Sequence, residues 1–210
     1  SMLKKVLISV AVVAAVLCGV IAMRPATYHV ERSLAVQAPV EVVHGLVADM
    51  ARFPSFSPWH KLDPAMKQTL SATTTGIGAS YAWESPKEDV GSGKMTITAV
   101  EPNQKVVQDL HFLKPWESKA VVTIATAPEG TGTKVTWAMD GDTGGFVGKA
   151  MGLFMDMDKM LGKDFEEGLQ NISRVSLEDV IKRNEEAKKA AEAAAAAVVG
   201  GADAPGPAKQ

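Results

Sequence analysis

The chain has 210 residues, 46% of them hydrophobic, and its 22 basic side chains nearly balance its 24 acidic ones. This composition is typical of one globular domain with appendages, and the balanced charge argues against a general nucleic-acid-binding protein, which carries a basic face. Because Cys18 is the only cysteine, the chain can form neither an internal disulfide nor a cysteine-rich zinc site.

The N-terminal segment is long and apolar. Residues 6–23 carry no charge, two lysines precede them and Arg24 follows. A helix of that length covers roughly 27 Å, close to the hydrocarbon thickness of a bilayer. Residues 1–24 are therefore predicted to form a transmembrane anchor, with a cleaved signal peptide as the alternative. The positive-inside tendency predicts a single-pass inner-membrane protein whose globular domain is periplasmic or otherwise extracytoplasmic.

The segments that follow predict a strand and two short helical elements. Residues 27–36 alternate weakly between apolar and polar side chains, which favours a strand ending near Pro39. From there to Met50 the apolar residues recur at helical spacing and predict a short amphipathic helix. Residues 52–64 contain three prolines and Trp59, so they predict a second short helix or a structured loop.

Residues 79–140 predict an antiparallel sheet. Short runs of alternating apolar and polar residues are separated by turn residues, as in a meander of strands. Alternation places aromatic, methionine and branched aliphatic side chains together on one face, which we call the inner face. Its predicted members are Tyr81, Trp83, Met95, Ile97, Leu110, Phe112, Val122, Trp137 and Met139.

One long methionine-rich helix is predicted to begin near Phe146, after a glycine-containing loop. A single apolar stripe runs along it and favours a core-facing helix; its members are Val147, Met151, Phe154, Leu161, Phe165, Leu169 and Ile172. The first half is apolar over most of its circumference. Residues 184–210 are rich in alanine and small residues and predict a helical extension followed by a disordered tail.

A sheet wrapped around a helix commonly leaves an apolar hollow, and this is the predicted ligand site. Its lining comprises the nine inner-face side chains together with Met151, Phe154 and Met155 of the helix, with Phe56 and Trp59 at the mouth. Most small-molecule pockets have such a lining, although a filled core gives the same pattern. Trp59 could act as a gate, as a lip touching the membrane, or as a structural plug.

The sequence predicts no catalytic residue, metal site or cofactor. Four scattered histidines do not have the spacing of metal ligands. Asp109 and His111 share one strand face, but alternation places that face outside the hollow. A hydrophobic small molecule or lipid and the membrane at residues 6–23 are the expected partners, without nucleic acid; any protein partner stays open.

Several motifs follow one another in a familiar order: Tyr28 to Ser33, Ala38-Pro39, Phe56-Ser57-Pro58-Trp59, Tyr81 to Glu84, and Met151 to Phe154. Residues 27–175 resemble the START-like SRPBCC superfamily, specifically its membrane-anchored bacterial branch labelled polyketide cyclase/dehydrase. The resemblance implies an α+β helix-grip fold of the START/Bet v 1 type over residues 25–183, with the antiparallel sheet wrapped around the C-terminal helix. It also implies an apolar cavity for lipids, sterols, polyketides or other hydrophobic molecules, only sometimes with catalysis.

Three functions fit these observations. The first is a membrane-anchored protein that binds a hydrophobic small molecule or lipid between sheet and helix. The second is an enzyme of the cyclase, dehydratase or aromatase type, which needs an ionisable group inside the cavity. The third is an interaction module that docks on a membrane protein through an exposed stripe of Phe146, Leu153 and Met160.

Overall fold

The computed structural model describes residues 2–201, with side chains placed for residues 2–198. The helices of this part are α1 (Met2–Ala22), α2 (Val40–Val47), α3 (Phe53–Phe56), α4 (Gly145–Met151) and α5 (Met157–Gly201), with short 3-10 helices at Met50–Arg52 and His60–Leu62. The strands are β1 (Thr27–Val36), β2 (Lys67–Leu70), β3 (Ser80–Glu84), β4 (Ser92–Glu101), β5 (Lys105–Lys114), β6 (Ser118–Glu129) and β7 (Gly132–Asp142).

All seven strands form one antiparallel sheet in the order β1-β7-β6-β5-β4-β3-β2. Successive hairpins connect β2 through β7, and β1 then pairs with β7. The two short helices carry the chain from β1 at one edge of the sheet to β2 at the other. With α5 packed on the sheet, this arrangement confirms the predicted α+β helix-grip fold.

The inner face of the sheet follows from strand alternation. Val30 lies opposite Met139, and Met139 lies opposite Val122, so their side chains point the same way. All three are buried, whereas their neighbours along the strands are largely solvent-exposed. The predicted inner face is therefore the face that α5 covers.

The core depends on one face of α5. Phe165, Leu169, Ile172 and Val175 are buried and recur at the three-and-four spacing of a core-facing helix. The Phe165 ring stacks on Trp137 with centroids 5.3 Å apart and an interplanar angle of 12°. Because α5 has a glycine at position 168, the Trp137 ring can approach the helix backbone: a Cβ built on Gly168 would lie 2.6 Å from it.

Ion pairs fix α5 at two points along its length. Near its start, the Arg32 guanidinium of β1 donates to both carboxylate oxygens of Asp158, each at 2.9 Å, and to Glu166 at 3.2 Å. Further along, Arg52 donates to Asp179 through two nitrogens. Such forked Arg–carboxylate pairs add geometric specificity, so they define the position of the helix on the sheet.

The prediction of one continuous helix from Phe146 is wrong. The chain forms α4, leaves helical geometry after Gly152 and starts again at Met157. The side chain of Asp156 accepts a hydrogen bond from the Lys159 backbone amide at 3.1 Å, the arrangement of an N-cap that begins a new helix. The predicted stripe is consequently broken, and Val147 and Phe154 are exposed rather than core-facing.

Beyond the core, α5 continues as an arm. It extends to Gly201, and residues 184–198 are exposed to solvent. The helical part of the predicted C-terminal extension is thus present, while the tail predicted for residues 200–210 lies almost wholly outside the described residues.

Replacing Gly168 with alanine tests the close contact between α5 and the Trp137 ring. We expect Gly168→Ala to destabilise the fold because the new methyl group overlaps the Trp137 ring, and overpacking costs about 1–3 kcal/mol. Gly45→Ala is the matched control, since Gly45 is also helical and nothing lies within 4 Å of its added Cβ. Both variants gain the same helix propensity. Denaturant unfolding in detergent should therefore show Gly168→Ala about 1–3 kcal/mol less stable than the control, and equal stability would contradict the packing argument.

Candidate ligand cavity

A partly enclosed cavity of about 210 Å³ lies on the inner face of the sheet, beside the first turns of α5. The strands contribute one side of its wall, the chain between α3 and β2 a second side, and the β3–β4 loop and α5 complete it. The lining residues are Phe53, Ser57, Trp59, Met66, Tyr81, Trp83, Asp89, Val90, Met95, Leu110, Phe112, Met139 and Leu161.

Three aromatic side chains hold the sheet side of this wall. Tyr81 and Trp83 are stacked with centroids 6.3 Å apart, and Phe112 meets Trp83 edge-on at 5.9 Å. The Trp83 indole donates to the carbonyl oxygen of Val90 at 3.2 Å, which ties the β3–β4 loop to the strand. Gly93 leaves room for the Trp83 ring, which an added Cβ there would overlap. The wall is thus preformed by packing.

The Tyr81 hydroxyl is a buried polar group in this wall, which also includes Ser57 and Asp89. Its oxygen is buried and has no hydrogen-bond partner within the described part of the chain. Burial raises the pKa of Tyr81 to about 12, because the phenolate would lose its hydration. The group therefore stays protonated at neutral pH and can donate one hydrogen bond or accept one.

Trp59 links the cavity to α5. Its indole donates to the Asp164 carboxylate at 3.0 Å, and its ring meets Trp137 and Phe165 edge-on. Burial raises the pKa of Asp164, and the hydrogen bond from Trp59 partly offsets that effect. With these three partners, Trp59 has the contacts of a structural plug. It also forms part of the cavity wall.

The structure brings six of the twelve predicted cavity residues to the cavity: Tyr81, Trp83, Met95, Leu110, Phe112 and Met139. Trp59 joins them from the predicted mouth. The other predicted strand residues and one mouth residue lie instead in the filled core, where α5 and the short helices cover the sheet. They are Ile97, Val122, Trp137 and Phe56. For these residues the alternative of simple core packing applies.

The three predicted helix residues Met151, Phe154 and Met155 lie outside the cavity. They are 43%, 90% and 38% exposed, because the helix breaks before α5 and its first apolar segment does not follow the sheet. The helix residue that does line the cavity is Leu161, which the sequence placed on the core-facing stripe.

Sequence reasoning missed the remaining lining residues. Phe53, Ser57 and Met66 belong to the connection between β1 and β2, and Asp89 and Val90 belong to a hairpin loop. Segments of this kind lack a two- or 3.6-residue period, so their side-chain directions cannot be read from alternation. The clustering of Phe53, Phe56 and Trp59 was the one available signal.

The outer face of the sheet carries a wide, open groove of about 940 Å³. Asp109 and His111 line it, outside the apolar cavity, as alternation predicts. His111 contacts Glu117 at 2.8 Å, and His29 contacts Asp140 at 2.7 Å. Among the described residues no group of three or more His, Cys, Asp or Glu could hold a metal ion.

Within residues 2–201, α1 is the helix that is long and apolar enough to cross a membrane. Of its side chains, only Ile21 is buried. The segment predicted as an anchor therefore forms a helix of the required length and polarity, a property that a signal sequence shares.

Comparison with solved structures supports the fold. An uncharacterised protein from Rhizobium leguminosarum matches with a TM-score of 0.53 and 16% identity over 73% of this chain and 95% of that one. A protein from Chromobacterium violaceum matches with a TM-score of 0.51 and 12% identity over 73% of this chain and 98% of that one. Major latex-like protein 151 from Panax ginseng matches with a TM-score of 0.51 and 15% identity over 73% of this chain and 99% of that one. At such identities the likeness shows the fold alone.

No curated protein matches the chain. A family model described as polyketide cyclase/dehydrase and lipid transport matches residues 27–176, which is the sheet together with the core-facing part of α5. The chain belongs to this polyketide cyclase/dehydrase and lipid transport family.

Proposed function

We propose that the protein is a membrane-anchored binding protein for a hydrophobic small molecule or lipid. The observation that carries this proposal is the preformed, mostly apolar cavity between the sheet and α5. The family, which includes lipid transport, supports hydrophobic ligand binding in general. In this reading residues 1–24 form the anchor and residues 25–183 the binding domain.

Cavity size favours a small ligand or part of a larger one. About 210 Å³ exceeds the roughly 150 Å³ of an engineered apolar cavity that binds benzene. It falls below the range of about 300–1,000 Å³ that is usual for drug-sized ligands. The volume therefore fits one or two rings or a short stretch of acyl chain.

The polarity of the lining favours a ligand with one hydrogen-bonding group. A buried polar atom without a partner is costly, and the Tyr81 hydroxyl is such an atom. A ligand hydroxyl or carbonyl would satisfy both groups once the Tyr81 side chain shifts so that its buried oxygen faces the cavity. The rest of the ligand would contact methionine, leucine and aromatic side chains, and methionines adapt readily to different shapes.

The same lining gives the enzymatic alternative little support. Asp89 is the only carboxylate among the lining residues, and it is exposed. Tyr81, protonated at neutral pH, cannot serve as a general base there. A cyclase or dehydratase needs a buried acid or base whose pKa lies near the working pH.

The anchor determines where the ligand is collected. The two lysines at positions 4 and 5 precede the uncharged residues 6–23, and the positive-inside tendency favours a cytoplasmic N-terminus with the domain on the periplasmic side of the inner membrane. A binding domain tethered there has access to membrane lipids and to apolar molecules that partition into the bilayer.

Occupancy of the cavity can be tested by a bulky substitution. We expect the full chain, extracted from membranes in detergent, to carry a hydrophobic species detectable by native mass spectrometry with lipid extraction. Leu161→Trp should lose most of it, because the larger side chain fills the cavity from α5. Leu177→Trp is the matched control, since Leu177 lies on the same helix, is 37% exposed and does not line the cavity. Equal loads in both variants would rule out the cavity as the binding site.

The role of Tyr81 can be tested with a pair of probes of the same shape. We expect the protein to bind 2-naphthol more tightly than naphthalene, because only 2-naphthol offers a hydroxyl group to Tyr81. One net hydrogen bond is worth about 1 kcal/mol, or roughly fivefold in Kd. Calorimetric titration in one detergent should show this preference reduced to near unity in Tyr81→Phe. A preference that survives the substitution would remove Tyr81 from the ligand site.

A further inference from the structure

The anchor and several loops converge on one end of the sheet, which we call the proximal end. There β1 begins directly after α1, β7 ends just before α4, and the hairpin joining β5 to β6 makes its turn. The pairing that fixes this arrangement is Thr27 with Asp142, Gly141 with Ala120, and Ser118 with Phe112.

Exposed apolar side chains are concentrated at this proximal end. Two chain segments carry them: residues 145–155, which include α4, and residues 113–116 at the hairpin turn. Soluble monomers rarely leave large contiguous apolar patches uncovered. We call the following set the proximal surface: Leu113, Trp116, Phe146, Val147, Met151, Phe154 and Met155.

The proximal surface is continuous with the anchor. The C-terminal end of α1 contacts α4, where Lys149 donates to the Ala22 carbonyl oxygen at 3.3 Å. Ile21 is buried, although the rest of α1 is exposed. Just beyond the helix, Thr143 donates to the Ala26 carbonyl oxygen at 3.0 Å. These contacts join the end of α1 to the start of α4.

We propose that the proximal surface docks on the lipid bilayer that α1 crosses. This inference rests on the proposed membrane anchor. Once α1 spans the hydrocarbon layer, its C-terminal end emerges at the headgroup level, and the segments that contact it are held at the same level. The membrane–water interface then contains Phe146, Phe154 and Trp116.

The chemistry of the surface suits a lipid interface. Tryptophan is enriched at this depth because its ring is apolar and its N–H is polar, and Trp116 is 74% exposed. A short apolar helix can lie in the interface plane with its apolar face among the acyl chains. Arg24, Lys114 and Lys149 lie within or beside the chain segments that form the proximal surface and join it to α1, and cations there favour anionic headgroups.

Docking would also place the cavity next to the membrane. Trp83 and Phe112, which line it, lie one and two residues from the proximal ends of β3 and β5. Leu161 lies four residues after Met157, where α5 begins, which is a rise of roughly 6 Å along the helix. A lipid leaving the outer leaflet would meet the apolar segment first and the cavity next.

Spin labels on the full chain in vesicles of phosphatidylethanolamine and phosphatidylglycerol test this inference. In a Cys18→Ser background, single labels are introduced by Phe154→Cys and Trp116→Cys at the proximal surface and by Val12→Cys within the anchor. Ile77→Cys is the matched control, since Ile77 is also 74% exposed but lies in the loop at the other end of β3. Collision rates with oxygen, which concentrates in lipid, and with a nickel chelate, which stays in water, report the depth of each label.

We expect the logarithm of the oxygen-to-nickel collision ratio to be positive at Val12, Phe154 and Trp116 and negative at Ile77. If Val12 is in lipid while Phe154 and Trp116 behave like Ile77, the docking surface is wrong and the anchor stands. If Val12 itself is in water, the anchor fails and docking fails with it. Labels at Phe154 and Trp116 shielded from both reagents would show a protein partner or a second copy on this surface, which also overturns the proposal.

Discussion

The stacking of Phe165 on Trp137 is the interaction on which the arrangement of this domain depends. It holds α5 against β7, next to the edge strand β1, where the absence of a side chain at Gly168 leaves room for the indole ring. Arg32 and Arg52 then fix the helix on either side of this contact. Because α5 begins only at Met157, it does not cover the strands at the proximal end of the sheet. The cavity lies in the space that α5 leaves uncovered.

The fold could be predicted from the sequence because its strands alternate and its core-facing helix has a clear 3.6-residue period. The edge strand β2 escaped the strand-by-strand analysis since all four of its residues are exposed, so it has no apolar alternation to detect. The helix break at residues 152–156 also escaped it. An apolar stripe runs across the break in the sequence, and the Asp156 cap is a local hydrogen bond that periodicity does not reveal.

The candidate site could be predicted only where regular structure contributes to it. Tyr81, Trp83 and Leu110 lie at the cavity as predicted on the inner face, because strand alternation gives side-chain direction. Strand alternation does not show which inner-face residues α5 covers. Trp137 was therefore assigned to the cavity, although it lies under α5. That distinction depends on where the helix starts and on how Trp59 and its neighbours fold back, and both are tertiary properties.

The length of α5 sets a direction for the whole molecule. The helix begins at the proximal end of the sheet, crosses it and leaves the core near Asp179, so its last residues, 184–201, of which 184–198 are exposed, continue away from the end that carries α1. Eighteen residues of helix measure roughly 27 Å, comparable to the domain itself. The helical arm therefore extends from the end of the domain that lies opposite α1.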